Sequence, residues 1–567
     1  MKEADKTPRA KSKRASDAAQ APAEVAEPKS TRPKKSKKDI PTSAISLRWE
    51  LAELPSSQHK AGLAGLALCV RFLNRNLAAR GVCAIEAIDA SGLTLRVDQD
   101  GMQALFDEIY AASLEEQERD AEYKDKQKRV VPAKRTVERL VKDKNDKERP
   151  KTFYVYDAVV PRGGPIADWD RPPAGDKQLW LKLWRDFVWT VVRGIHAQRE
   201  PYDLRAKGGA GEDGASAWHD LATTPASGVD LPSTYYLGAQ STTAEMAPFR
   251  DIARYQFLLH FWPFVVPLYC PESIDRTGAR TLSGYAVVVP EIVDLVGFID
   301  GWSTVLLERS TAASGYVPRD AVIDLAGEAG LDIARRILAV TRRQEGQQAT
   351  RPWVDGVDVF HVEKDGQNVR LRSVQRVDLR RERADAYARC KEAYWSPVFR
   401  RQRIANLLDD KPWWSGFGRL CAQTPKELTA LATQFRHDCR VAMTEVEMKE
   451  ATDDGPKTLE QLVYQAVRTY VLGRLSSKYG LKWSEVGANP ALKADFEEKK
   501  SKLARDAFLA VRSRTGNDFV SYFTATLCAV PQRLGEHGYL ELARALADES
   551  EVERIRSLTL LALSANG

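Results

Sequence analysis

What this chain lacks narrows its function class before any motif is considered. Its 567 residues contain no apolar run near the roughly 20 needed to cross a bilayer. The charged N-terminus lacks the apolar centre of a secretory signal, so the cytoplasm is the expected address. Seven cysteines are odd in number and never form a Cys-x-x-Cys pair, which argues against a disulfide framework or a zinc knuckle and predicts reduced, mostly buried thiols. The seven histidines never recur at the spacing that puts two metal ligands on one helix face. No metal and no cofactor is therefore expected. There is no Gly-x-x-x-x-Gly-Lys loop, hence no sign of an NTPase. The one formal dinucleotide pattern, Gly209 to Gly214, follows no strand and carries Glu212 and Asp213, which repel phosphate, so it reads as linker. His260, between Leu259 and Phe261, reads as a core histidine. His437-Asp438-Cys439 has nucleophile-triad residue types, but neighbours on a helix are expected to point apart. These absences predict a chain that is not an enzyme.

What is present is charge, unevenly placed. The net charge is +7, but residues 1–40 hold 12 Lys or Arg against 6 Asp or Glu, so the remaining 527 residues are within one charge of neutral. That basic segment has almost no aromatic or branched residues and is expected to be a disordered tail. The body is no generic polycation. Contacts with nucleic acid must come from local patches, balanced by acidic surface elsewhere.

The body divides in two by pattern. Residues 41–380 read as a mixed α and β domain. A helix is expected from Ser57 to about Leu77, with Gly62 and Gly65 letting another backbone approach closely. A hairpin follows around Ala90-Ser91-Gly92. Residues 124–151 carry 12 basic and 5 acidic side chains and are expected to be an exposed helix or loop. Helical spacing covers 178–196, and residues 205–217 read as a flexible break. An apolar centre spans 255–268, a buried strand begins at Tyr285, and a second hairpin turns at Asp365-Gly366. Residues 381–567 read as an all-α bundle. In it, Thr458 and Gln461 form a capping box before a helix that stops at Gly480. Phe508, Val511, Phe519 and Phe523 make buried stripes on either side of a Gly516-Asn517 break. The fold class expected is α+β.

Several residues suit nucleic acid. In the first domain they are Lys60, Lys134 and Arg135, the turn Arg162-Gly163-Gly164, and Gln240 in the small-residue loop after Gly238. In the bundle, Arg400 and Arg403 precede Trp413, combining charge for phosphates with flat rings for bases. Arg468, Arg474 and Lys478 lie on the polar side of the capped helix, and Arg512 with Arg514 extends that patch.

The phrase Asp506-Ala507-Phe508-Leu509-Ala510-Val511-Arg512-Ser513-Arg514-Thr515-Gly516-Asn517-Asp518-Phe519 resembles the C-terminal part of the large subunit of type I CRISPR Cascade effectors, in the variety called MYXAN-type. Residues 57–66, 255–271, 284–295, 462–483, 508–531 and 557–565 are similar in the same way, so the likeness spans nearly the whole chain except the tail. The motifs are apolar and structural. The resemblance implies a non-catalytic subunit that reads a protospacer-adjacent motif in duplex DNA, assists strand separation and recruits a helicase-nuclease, while a guide RNA reads the target by pairing. Its implied partners are double-stranded and displaced single-stranded DNA, guide RNA, the other Cascade subunits and that helicase-nuclease. Met443 and Met448, just ahead of the bundle, are candidate internal starts for a separate small subunit. The alternatives are a nuclease or nucleotidyltransferase of unrecognised fold, or a scaffold that touches only protein.

Overall fold

The alternating segments around Ala90-Ser91-Gly92 form the expected hairpin. β2 (Cys83–Ile88) and β3 (Gly92–Val97) pair antiparallel, and β1 (Ile45–Glu50) adds to the far edge of β3. Asp89 makes the turn by accepting N–H bonds from Ser91 at 2.8 Å and Gly92 at 3.0 Å. These elements come from a computed structural model that describes residues 43–567, apart from 77–80, 124–128, 143–147, 173–176, 194–195, 232–234, 240–246, 346–351, 367, 453–455, 487–489 and 530. The basic tail and Gln240 lie outside the described residues.

Helix α1 (Ser57–Asn76) shows what its glycines are for. A Cβ at Gly62 would stand 2.3 Å from the carbonyl oxygen of Leu258, and one at Gly65 would stand 2.2 Å from that of Phe261. Only glycine allows the helix to lie directly on the apolar centre, where Phe257, Leu258, Phe261 and Trp262 are buried. The main sheet runs β10 (Arg280–Leu282), β9 (Leu268–Ile274), β11 (Tyr285–Ile292), β15 (Val354–Asp365), β16 (Asn368–Asp378), all antiparallel, with β14 (Val322–Ile323) parallel to β9. A third sheet, order β4 (Ala112–Arg119), β6 (Glu148–Pro161), β5 (Arg135–Lys142), stands beside it. Short pairs β7 (Gly228–Asp230) with β8 (Arg250–Ile252), and β12 (Ala313–Ser314) with β13 (Val317–Pro318), complete the strands. The helices of this region are α2 (Gln99–Ile109), α3 (Pro165–Trp169), α4 (Leu179–Phe187), α5 (His196–Ala206), α6 (Asp213–Thr223), α7 (Ala253–Gln256), α8 (Leu295–Leu307) and α9 (Glu328–Glu345).

Two expectations are corrected here. Residues 135–142 and 148–161 are strands, not a helix or loop. Val137 and Val141 share one face of β5 with Arg139, and Leu140 shares the other with Glu138, so neither face is apolar and no period-2 signal stands out. The break expected over 205–217 shrinks to 207–212, because α6 buries Trp218 and Leu221 against α2.

Beyond β16 the chain is helical: α10 (Arg381–Ala393), α11 (Pro397–Leu408), α12 (Phe417–Gln423), α13 (Thr433–Thr452), α14 (Leu459–Tyr479), α15 (Trp483–Val486), α16 (Pro490–Arg512), α17 (Gly516–Tyr522), α18 (Gly535–Ala547) and α19 (Glu549–Ala565). The architecture is α+β. The Thr458 and Gln461 box forms at α14, and Gly480 ends that helix at φ 68°. Phe508, Val511, Phe519 and Phe523 are all buried around the break, where Gly516 has φ 50°. Helix α19 is charged over its first two turns but buried on every side from Ile555 to Ala565, and it is the axis of the bundle, with α12, α13, α14, α16, α17 and α18 around it. Two of its buried hydroxyls are bonded: Ser557 Oγ accepts the Gly418 N–H at 2.9 Å and Thr559 Oγ1 donates to the Ile555 carbonyl at 2.7 Å.

Two large apolar cores result, beside a small third cluster of Leu475, Val486, Phe496 and Leu503. The first runs from Trp49 to Ile404 and the second from Cys390 to Ala565, so α10 and α11 contribute to both. Six cysteines are buried and Cys528 is half-buried, all as free thiols.

Candidate nucleic-acid interface

Sheet β4-β6-β5 gathers three of the expected residues. The register sets Glu118, Val155 and Arg135 in one row across the three strands, and Glu116 opposite Asp157 in another. Two strand spacings, about 10 Å, are within reach of an arginine and a glutamate together. Arg135 Nη2 donates to Glu116 at 2.7 Å, Arg139 Nη2 to Glu118 at 2.7 Å and Lys151 Nζ to Asp120 at 3.2 Å. Lys134 Nζ lies between Asp157 at 3.0 Å and Glu116 at 3.1 Å. These bonds hold the Glu116 carboxyl below the usual range, Arg135 first and Lys134 second. The result is an exposed ladder of cations matched to carboxylates. Such pairs are cheap to open, so a phosphate can replace a carboxylate on any rung.

Arg162 follows directly on β6, its N–H bonded to Ala111 at 2.8 Å and its side chain exposed. Gly163 and Gly164 take φ 90° and 47° to turn the chain into α3, and both are buried. A Cβ at Gly163 would stand 2.5 Å from Leu181 Cδ1. Lys60 lies apart from this group, bonded to Glu291 on β11.

In the bundle the expected residues fall into two groups. Arg400 makes a two-point bond to the buried Asp324 of the first core, one arm at 3.0 Å. That pair lines a charged cleft of 480 Å³ between the cores, with Glu272, Asp332, Arg335 and Arg336. Next to it, Arg403 lies between the rings of Tyr394 and Trp413, 5.7 and 5.4 Å from their centroids. The second group surrounds Tyr522: Arg514 lies 4.3 Å from the ring centroid, bonds Ala510 and faces Asp518 at 3.6 Å, while the field of Arg474 reaches the same phenol. Arg474 also lines a 380 Å³ groove between α14 and the π-helical turn Phe523–Leu527, with Tyr470, Gly473, Ser477 and Arg533. Neighbouring Arg468 pairs with Glu447, and Lys478 lies over Tyr479 at 5.4 Å. Arg512 reaches back to α12, donating to Cys421 at 2.9 Å, Ala422 at 3.2 Å and Thr424 at 2.8 Å, which closes that helix's C-terminus.

Sequence reasoning missed Arg139, Lys151 and Arg533. The first two lie in the basic stretch 124–151 but on strands that its composition hid; Arg533 had no local signal. The reading of His437-Asp438-Cys439 is corrected in part: Cys439 is buried, but His437 Nδ1 lies 3.2 Å from Asp438 Oδ1. Asp438 takes the N–H groups of Trp395 and Ser396, and its carboxylate turns back along the helix to meet the imidazole.

Two family models match the chain. The model for the type I-B CRISPR Cas8b N-terminal domain matches residues 82–347, and the model for the type I-B CRISPR Cas8b C-terminal domain matches residues 354–566. No curated protein matches the chain. The two domains stand in tandem and together cover most of its length, which makes the chain a member of the Cas8b family, a large subunit of type I CRISPR effector complexes.

Proposed function

We propose that this large subunit recognises the protospacer-adjacent motif in duplex DNA beside a guide-matched site, assists strand separation and recruits the helicase-nuclease, with no chemistry of its own. The MYXAN variety is the finer resemblance within this reading. The observation that carries it is the ladder on β4-β6-β5, where Lys134, Arg135, Arg139 and Lys151 stand on one exposed sheet with Arg162 at its base. Carboxylate matching keeps this surface from gripping every polyanion. A duplex flank held by the rest of the complex supplies the local phosphate concentration that displaces the carboxylates. Arg474, Arg514 and Tyr522 then offer charge and a ring to the displaced strand. The partners on this reading are duplex and displaced DNA, guide RNA within the complex, the other subunits and the helicase-nuclease, in the cytoplasm.

The test is retention of guide-matched duplexes with randomised flanks by the reconstituted complex, with and without this chain. Flank preference that depends on the chain supports the reading, and equal preference without it ends the reading. Charge reversal at Arg135 and Arg162 is expected to weaken flank preference at least tenfold while guide–target pairing on pre-melted DNA is unchanged.

A further inference from the structure

Helix α13 carries Arg436 and Arg440 one turn apart, a like-charge pair that disfavours the helix. Arg505 of α16 meets them through Ser501: Arg436 Nη1 donates to Ser501 Oγ at 3.1 Å and Arg505 Nε to Ser501 O at 3.2 Å. Arg440 donates to the backbone oxygens of Ala565 at 3.3 Å and Gly567 at 3.5 Å. Ser501 and the Ala565 carbonyl are neutral acceptors, the Gly567 oxygen belongs to the terminal carboxylate, and Arg436 Nε is buried with no partner. Burial, then Arg505 and Arg440, lowers the Arg436 pKa, with no acid acting the other way. Three guanidiniums thus share a surface on which one carboxylate offsets only part of their charge.

Beside them is an aromatic ring held open. Trp395 is 58% exposed, yet its indole lies flat on the His437 imidazole, centroids 3.9 Å apart and planes within 7°. Asp438 fixes both partners, bonding His437 and accepting the Trp395 N–H at 3.0 Å. At 100° per residue, the order around α13 is His437, Arg440, Arg436, so the surface runs from Trp395 across the helix to Arg505. An exposed tryptophan and three arginines that share a single carboxylate are each unfavourable without a ligand. One ligand resolves both if it carries anionic groups and flat rings.

We infer that this surface binds single-stranded nucleic acid, with a base on the free face of Trp395 and successive phosphates on Arg440, Arg436 and Arg505. The inference rests on the reading that the chain works on nucleic acid, and it adds a contact apart from the ladder and from the groove beside α14. A duplex keeps its bases stacked inside and offers nothing to the indole. An acidic protein segment satisfies the arginines but leaves the ring uncovered.

The test is fluorescence anisotropy of the full chain with labelled fifteen-nucleotide oligo-dT and oligo-rU over a salt series. Trp395→Ala is expected to weaken binding about tenfold. The triple variant Arg436→Ala, Arg440→Ala, Arg505→Ala is expected to weaken it further and to flatten the log–log salt slope by about two, since single strands give roughly 0.7 per phosphate neutralised. The triple Lys variant keeps the charge and the slope, which separates ligand contact from loss of the α19 anchor. Circular dichroism checks the fold of each variant. Equal binding by wild type and variants, no binding by wild type, or a polyglutamate peptide that binds equally tightly and is lost with the same variants overturns the inference. Loss of flank preference by the complex with oligonucleotide binding intact overturns the proposed function and leaves this site standing.

Discussion

The cations named on the β4-β6-β5 sheet all meet carboxylates, whereas several of those in the helical bundle are held by neutral groups. On the sheet, Arg135, Arg139, Lys134 and Lys151 each meet a carboxylate at the surface. In the bundle, Arg468 and Arg514 also face acids, but Arg512 ends on backbone carbonyls, Arg436 on a hydroxyl and Arg403 among rings. A carboxylate cancels the charge it holds; a carbonyl orients the guanidinium and leaves the charge in place. Net charge along the sequence does not distinguish the two arrangements. The sheet is a neutral surface that becomes cationic only where something displaces its acids. The bundle keeps a standing positive potential, with its arginines already positioned.

The comparison is broken most severely at Arg400, a bundle cation held by a buried carboxylate. Asp324→Ala leaves that guanidinium unpaired between the two cores and is expected to destabilise the fold by about 3–5 kcal/mol, read from the denaturant midpoint. Arg512→Met removes three bonds to the end of α12 and is expected to cost about 2 kcal/mol by the same measurement, with Arg512→Lys recovering less than half.

The first core has an uncompensated cation of its own. Arg193 lies between the rings of Tyr110 and Tyr235 at 4.9 and 4.7 Å. Burial, and then Arg193, pushes the His260 pKa down to about 3. Below about pH 6.5 the unfolded chain takes up a proton that the folded chain refuses. Stability from this group is therefore complete above pH 6.5 and is lost progressively as pH falls toward 3. His260→Gln is expected to flatten the pH dependence of the unfolding midpoint between pH 6 and 4, and an unchanged slope contradicts the assignment.

The smallest effect on stability is expected on the ladder. Glu116→Gln with Glu118→Gln should leave the unfolding midpoint where it is, because those groups are exposed. The same double variant should steepen the salt dependence of duplex binding by about two phosphates, since it frees Arg135 and Arg139. A variant that unfolds early, or binds duplex as before, removes the contrast between sheet and bundle.

Much of the fold was legible because its signals are local. The glycines of α1, the hairpin at Ser91-Gly92, the Thr458 box and the stripe of Phe508 and Val511 each depend on neighbours within a few residues. β5 and β6 were hidden because a strand paired on a charged, exposed face looks like a loop in composition. The site was less legible for a related reason. Whether an arginine ends on Glu116 or on the carbonyl of Thr424 depends on partners 19 or 88 residues away, and spacing carries no trace of it. Arg436 and Arg440 did leave a sign, a like-charge pair at helical spacing with no acid interposed on its face.

Tyr387 belongs to the first core and Cys390 to the second, three positions apart on α10. At 1.5 Å per residue the joint between the cores is about 4.5 Å of continuous helix. Tyr387 and Lys391 both bond the buried Glu328, which fastens that turn to α9. The bundle therefore has no slack linker on which to swing. Any reorientation of the bundle on the sheets must pull those side chains off Glu328 or drag α9 along, so motion begun at one end of the molecule arrives at the other as strain in a single turn.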